Sequence, residues 1–541
     1  MKGYQKTEVL IIGAGASAAP FAYRLNRDGC KIICLEQGNW PSRQDYPQTR
    51  EDWESHFRGS MNMNPNVRDL PQDYPVNVED SDVTPLMYNS VGGSTILWGA
   101  HFPRLHPSDF RVYSEDGVAF DWPLSYDDLV PYFDENDKMM GVSGLAGDSS
   151  YPPKPERPMG PLPIGRFGET LAEGFNKLGW HWWPADAAIC SVNYEDPAGN
   201  RRIACNYGGS CVLGCRRGAR SSPDLNYWPA AVKGGVQLKS GCRVKQILLS
   251  SDGRARGAEY TDPEGNIEIV EAELVVLAAN GVGTPRLLLA SANGKYPNGL
   301  ANSSDQVGRN MMVHPPAFVT GVFPLDLESY KGPVGNILYS HQFYETDTSR
   351  GFVRGLQLQA QRQYGGLDTA LGGVVGQPVP WGANHHEEFN RRMGRLATLL
   401  VLADDLPEER NRIVLDDNLT DSDGIPAPKL IYSYSENTKR ILDFGIEKGT
   451  ELMKAAGAID VLVNPRVREV FHLMGTARMG NDPETSVVNK WGRSHDIPNL
   501  FIIDGSVFVT GGSANPTSTI QALALRFADY ICRHKREILN L

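Results

Sequence analysis

An uninterrupted apolar run, Val9-Leu10-Ile11-Ile12, opens the chain and leads straight into glycine. Four apolar positions without alternation fit a parallel strand covered on both faces. Helical spacing follows over about residues 16–27, and a second strand over 31–35 ends at Glu36. Strand, turn, helix and strand in that order predict a βαβ unit. The pattern returns at 274–279, an apolar strand that leads into Asn280-Gly281-Val282-Gly283-Thr284-Pro285 and another helix. Between 236 and 273 the positions alternate, broken at Ser251-Asp252-Gly253 and Pro263-Glu264-Gly265, which predicts antiparallel strands joined by turns.

Residues 316–465 read differently. Apolar and polar stretches alternate, aromatics are frequent and no glycine cradle occurs, so the strands there predict a second, substrate-side sheet with a helix at about 436–457. Segments 60–90 and 145–165 are rich in Pro, Asn and Asp and read as long excursions or lids. Neither repeats nor low-complexity tracts occur.

A chain of 541 residues has room for more than one domain. Its net charge of -11 disfavours phosphate backbones, so nucleic acid is not an expected partner. Nowhere do apolar residues run for the roughly 18 positions of a membrane helix. Lys2, Lys6 and the apolar stretch 9–19 imitate a signal peptide, but cleavage there would destroy the glycine turn. Export is therefore expected only for the folded protein, beside a partner subunit that carries the signal. The eight cysteines are too sparse for a disulfide framework, yet Cys205, Cys211 and Cys215 fall within eleven residues.

Gly13-x-Gly15-x-x-Ala18 carries the first chemistry. The first glycine permits a tight turn, the second lets backbone approach a pyrophosphate, and Ala18 allows close helix–strand packing at a helix N-terminus that favours negative charge. Glu36 stands where a carboxylate accepts from ribose hydroxyls. Ser90-Val91-Gly92-Gly93-Ser94-Thr95-Ile96-Leu97-Trp98-Gly99 is either a tight turn or a loop that approaches a flat ring system. At the far end His472 and Asn515 suit alcohol oxidation: an imidazole can remove the hydroxyl proton, and a neutral amide can hold the oxygen without competing for that proton. A buried, satisfied histidine is the alternative.

Taken together, the glycine turn, the Gly92-Gly93 loop and the His472-Leu-Met-Gly-Thr…Asp504-Gly-Ser…Asn515-Pro-Thr order resemble the glucose–methanol–choline (GMC) flavin oxidoreductases over nearly the whole chain. That resemblance implies an α/β fold: an FAD-binding Rossmann-like domain over 1–315, with inserts at about 60–90 and 145–200 and the cysteine loop 205–215. A substrate domain on an antiparallel sheet would cover 316–465, and 466–541 would return to the FAD domain. It further implies FAD contacts from Gly13, Gly15, Ala16, Ser17, Glu36, Gly92, Gly93, Ser94, Trp98, Val244, Ala279, Asp504, Gly505, Asn515, Pro516 and Thr517, with His472 and Asn515 as the catalytic pair passing hydride to flavin. Family members with covalent flavin carry a histidine where Leu97 stands, so dissociable FAD is expected; His101, close by, is the alternative attachment point. His314 fits a segment read as structural. His385 and His386 are given no defined role.

The spacing Cys205-x5-Cys211-x3-Cys215 resembles the catalytic subunits of bacterial FAD-dependent sugar dehydrogenases, where it holds a 3Fe-4S cluster that feeds a cytochrome. Free thiols, or a zinc site completed by Cys190 or a histidine, are the other readings. Arg216, Arg217 and Arg220 follow, to offset cluster charge, to meet an acidic partner, or as a solvated loop. The expectation is an FAD dehydrogenase acting on a sugar or glycoside, with glucoside C3 the favoured position. A cytochrome c acceptor and a small chaperone-like subunit accompany it, and its cluster is assembled in the cytoplasm before periplasmic export. The alternatives are an oxidase releasing peroxide, a flavin-retaining lyase and a non-catalytic flavoprotein.

Overall fold

A computed structural model describes residues 4–68, 70–362 and 365–539. The strand Tyr4–Ile12 lies between Ile32–Leu35 and Ile267–Leu277, parallel to both. Gln237–Lys239 extends this parallel set at one edge and Leu500–Ile502 pairs with the C-terminal part of Ile267–Leu277. Ala255–Thr261 and Arg243–Leu249 continue it antiparallel, turning where the glycine-bearing turns lie. The strand expected over 274–279 starts earlier, at Ile267, because Ile267–Glu271 also serves the antiparallel ladder while Ile269–Leu277 pairs in parallel with Tyr4–Ile12. Helices Ala18–Arg27 and Thr517–Arg533 pack together against this sheet, burying Phe21, Leu25, Leu523 and Phe527.

A second, six-stranded sheet is wholly antiparallel, in the order Asp460–Asn464, Pro316–Val322, Leu396–Ala403, Leu356–Gln361, Leu338–Ser340, Trp183–Pro184. Helix Glu436–Ala455, capped by the Ser435 side chain on the Thr438 N–H, closes one face together with Gly165–Leu178. Hydroxyl caps of this kind contribute about 1 kcal/mol. Alternation in the sequence signals strands without naming their partners. Thus Arg412–Thr420 and Pro426–Tyr432 leave the six-stranded sheet and pair with each other, Pro426–Tyr432 taking Asn77–Ser81 from the 60–90 excursion on its other edge, while Trp183–Pro184 joins the six-stranded sheet from the 145–200 insert. None of the helices, among the described residues, is long and apolar enough to cross a membrane. The architecture is the α/β, two-sheet arrangement expected of the GMC fold.

Candidate active site

Two glycine loops meet between the sheets. Gly13 is left-handed (φ +97°), and a Cβ there would stand 2.4 Å from the Ala278 carbonyl oxygen. Gly93 presses on Gly15, whose Cα would be 3.0 Å from a Cβ on Gly93. Only bare backbone fits at that crossing. It borders a cavity of about 740 Å³, a size typical of cofactor sites. Gly13, Gly15, Ala16, Ser17, Glu36, Gly93, Ser94, Trp98, Val244, Ala279, Asp504, Gly505, Asn515, Pro516, Thr517 and His472 line it. Gly92 stands behind the wall, donating its N–H to the Ala14 carbonyl at 2.9 Å.

The cavity suits a dinucleotide. Helices Ala18–Arg27 and Thr517–Arg533 begin at its wall with no side-chain cap, leaving first-turn N–H groups for an anion. Glu36 accepts from the Ala14 and Gly38 N–H groups, each at 2.8 Å. Burial nonetheless pushes its carboxyl up to about 7, so further donors such as ribose hydroxyls would favour the charged form. Asp504 accepts from the Asn280 N–H at 3.1 Å, the Thr284 hydroxyl at 2.5 Å and the Ser506 N–H at 2.9 Å, which fixes the Gly505 turn. The donor set, the bare glycine crossing and the two uncapped helix ends fit FAD.

At the other end of the cavity His472 is half-buried, in a left-handed conformation (φ +68°). Its Nδ1 is 2.7 Å from His314 Nδ1, and His314 Nε2 is 2.7 Å from the Gly512 carbonyl oxygen. A carbonyl only accepts, so His314 carries its proton on Nε2. Burial lowers His314 to about 4, so the ring is neutral and its Nδ1 accepts. His472 must then donate from Nδ1, which leaves Nε2 as a bare lone pair. Asn515 Nδ2 stands 3.5 Å from that lone pair. Burial, then the neighbouring His314 and His101, hold His472 well below its usual value, so it is a neutral base. Nothing in the sequence spacing pairs His314 with His472; 158 residues separate them, and its assignment as structural is corrected to a direct partner of the imidazole.

Strand Leu356–Gln361 supplies what sequence reasoning missed. Its Leu-Gln-Leu-Gln-Ala-Gln alternation puts Leu356, Leu358 and Ala360 into the core under the sheet. Gln359 and Gln361 line the cavity, and Gln359 Nε2 donates to Asn515 Oδ1 at 2.6 Å. The period-two signal was present, but a polar face normally reads as a solvent face. Leu97 is buried, and His101 Nδ1 bonds the Tyr339 hydroxyl at 2.8 Å while its Nε2 edge packs against Gly335. His385 and His386 lie outside the cavity, His385 stacked on Trp381.

The cysteine loop abuts the same cavity, to which it contributes Ser210, Val212 and Leu213. Cys205 Sγ accepts from the Tyr207 N–H and Cys215 Sγ from the Arg220 N–H, each at 3.4 Å. Burial and the neighbouring thiols push Cys205 up to about 12, and burial raises Cys211. Three thiolates here need a cation among them. Of the three arginines, Arg220 is buried, its guanidinium donating to the carbonyls of Thr95, Ile96 and Trp98 at 2.9, 2.6 and 2.8 Å. It ties the cysteine loop to the Gly92-Gly93 loop; Arg216 and Arg217 are exposed.

Comparison with known proteins agrees with this arrangement. Residues 186–316 and 407–524 match the family models described as GMC oxidoreductase. The chain is 42% identical to 2-methyl-1,2-propanediol dehydrogenase of Mycolicibacterium austroafricanum, covering 99% of this chain and 97% of that protein. It is 31% identical to the fructose dehydrogenase large subunit of Gluconobacter japonicus, covering 97% of each. In fold it resembles pyridoxine 4-oxidase from Mesorbium loti (TM-score 0.65, 17% identity, 98% and 99% of the two chains).

Proposed function

The chain belongs to the GMC oxidoreductase family, an FAD-dependent enzyme acting on CH–OH groups, and from that premise we propose that it is a dehydrogenase of a sugar, glycoside or related polyol whose electrons leave through a 3Fe-4S cluster. The observation that carries the reading is the bare Nε2 of His472 beside the Asn515 amide, at the wall of the glycine-bordered cavity. His472 Nε2 takes the hydroxyl proton, and Asn515 Nδ2 donates to the oxygen as negative charge grows on it. FAD supplies the acceptor for the hydride, so the C–H and O–H bonds both break and a carbonyl forms. With leucine at 97 and His101 Nδ1 held by the Tyr339 hydroxyl, dissociable FAD is supported.

Cys205, Cys211 and Cys215 are the cluster ligands on this reading, the cluster supplying one-electron steps out of the site. Their backbone donors and their place against the cavity support it. Assembly of the cluster then occurs in the cytoplasm, and any export is of the folded protein beside a signal-bearing partner.

The test is anaerobic. Protein purified without oxygen should contain about three irons and matching acid-labile sulfide per flavin, release its flavin on acid precipitation, and bleach with polyols or glycosides. His472→Ala should retain flavin and slow bleaching by about 10²–10⁴. Cys211→Ser should bleach normally yet fail to reduce a cytochrome. Iron-free protein that bleaches and returns peroxide in air would instead be an oxidase.

A further inference from the structure

We propose that His341 is a positioning residue for the reaction: through Gln357 and Gln359, its bare Nε2 holds the Asn515 amide with the NH2 turned to the substrate oxygen. The inference rests on the reading of His472 and Asn515 as the reacting pair. It goes beyond that reading by giving a task to three buried side chains that touch neither substrate nor flavin in it.

The direction of this arm is set at its outer end by Asp148. Burial opposes a charge there, but the His181 ring, whose Nε2 is 2.9 Å from Oδ1, and the Ser150 donors outweigh it and hold the carboxyl well below the usual carboxylate range. Asp148 Oδ1 accepts from the Ser150 N–H at 2.9 Å and from the Ser150 hydroxyl at 2.8 Å. That hydroxyl has one proton, and the carboxylate takes it. Towards His341 Nδ1, 3.0 Å away, Ser150 Oγ can therefore only accept. Burial, then the neighbouring His106, holds the His341 ring well below its usual value, so it is neutral. Its single proton sits on Nδ1, and Nε2 is a bare acceptor. Gln357 meets that nitrogen with its NH2 at 2.6 Å, which turns Gln357 Oε1 to receive one N–H of Gln359. The other N–H of Gln359 goes to Asn515 Oδ1 at 2.6 Å, which leaves the Asn515 NH2 on the side of His472 Nε2. Amide orientation is invisible in heavy-atom shape; here a carboxylate that only accepts fixes each amide in turn.

His472 sets the same orientation from the inner end, but weakly and only before the reaction. Asn515 Nδ2 stands 3.5 Å from the bare Nε2, at the limit of a hydrogen bond. Once His472 has taken the hydroxyl proton, its Nε2 becomes a donor and draws the Asn515 oxygen towards itself. An amide turned that way would present a carbonyl to the negative charge growing on the substrate oxygen. The His341 arm opposes the turn. A rotated Asn515 meets Gln359 with NH2 against NH2, and Gln359 cannot follow unless Gln357 and then His341 reverse as well. Gln357 and Gln359 are fully buried and His341 is 7% exposed, so no solvent repairs the bonds broken on the way.

Anaerobic stopped-flow bleaching of the FAD-loaded enzyme tests this, with the fastest substrate from a panel of alcohols, polyols and methyl glycosides. In His341→Phe the limiting rate should fall about 10²-fold, as for loss of one oxyanion donor, while the half-saturating substrate concentration moves by less than about twofold and FAD stays bound. His341→Gln presents an amide oxygen where Nε2 stood and should recover the rate to within about tenfold of wild type. Gln357→Met cuts the same arm one amide nearer and serves in its place should His341→Phe fail to hold FAD. The deciding comparison is made on an Asn515→Ala background. A residue that acts through Asn515 has nothing left to position there, so adding His341→Phe should slow bleaching by less than about twofold. A merely structural histidine would slow both backgrounds by the same factor, and that result overturns the proposal. So does a wild-type rate in His341→Phe and Gln357→Met, or loss of FAD from both. In each of these cases a slow Asn515→Ala shows that only the His341 inference has failed. If Asn515→Ala itself bleaches as fast as wild type, the reading of the reacting pair fails; if no alcohol of the panel bleaches the wild-type flavin, both fall together.

Discussion

Proton placement at single residues decides what this site can do. The Gly512 carbonyl, acting through His314, turns the bare nitrogen of His472 towards the cavity. Replacing His314 with Phe frees that ring to carry its proton on either nitrogen. Flavin reduction should then slow by about 10²-fold with little change in substrate KM, as expected for a group that acts through its neighbour. In the wild type the depressed pKa of His472 keeps it neutral below its ordinary value of 6.5. Bleaching should therefore stay level as pH falls from 8 to 6, and an acid limb near 6.5 would contradict the burial argument. His314→Phe removes a neighbour that lowers that pKa, so its acid limb should move up. Glu36 works in the opposite sense. Its carboxyl, raised to about 7 by burial, holds a proton in the empty site that ribose hydroxyls would displace. FAD affinity should thus weaken as pH drops through 7, towards tenfold per unit, readable by flavin fluorescence on release. Glu36→Gln should bind weakly at every pH and lose that slope.

At the scale of elements, the strand–turn–helix unit depends on Gly13. A methyl there meets the Ala278 carbonyl at 2.4 Å, in a conformation that itself costs an L-residue about 1–2 kcal/mol. Gly13→Ala should emerge without flavin, checked by the visible spectrum of purified protein, and flavin-replete protein would show that the turn is not a cradle. Strand Leu356–Gln361 carries two faces with different tasks: its leucines hold the sheet to the helices beneath, and on its other face Gln359 and Gln361 border the cavity. The cysteine loop owes its position to Arg220, whose three carbonyl acceptors lie on the loop that borders the flavin cavity.

In the whole molecule the cavity belongs to neither sheet alone. Ile12 and Leu35 reach it from the mostly parallel sheet, Phe318 and Leu400 from the antiparallel one. A ligand there joins the two, so flavin should raise the unfolding temperature progressively with concentration, the stabilisation reaching about 4 kcal/mol at a thousandfold excess over Kd. A melting curve indifferent to added FAD would count against the cavity as its site.

Much of this was legible in the residues themselves. Uninterrupted apolar runs, the glycine spacing and the terminal Glu36 are local signals, because a covered parallel strand and a phosphate turn are built from neighbours in sequence. The helix expected over 436–457 is observed as Glu436–Ala455, where cap and apolar stripe are again local. The order of His472, Asp504 and Asn515 named the family. Tertiary structure alone decided the rest: that Trp183–Pro184 and Asn77–Ser81 serve sheets far from their own stretch, that His314 touches His472, and that Arg220 is an internal clamp and not a solvated charge. Strand partners and hydrogen-bond direction are set by which distant groups meet once water is excluded. A row of glutamines reads as surface until the fold buries it and its amides bond His341, Asn515 and one another.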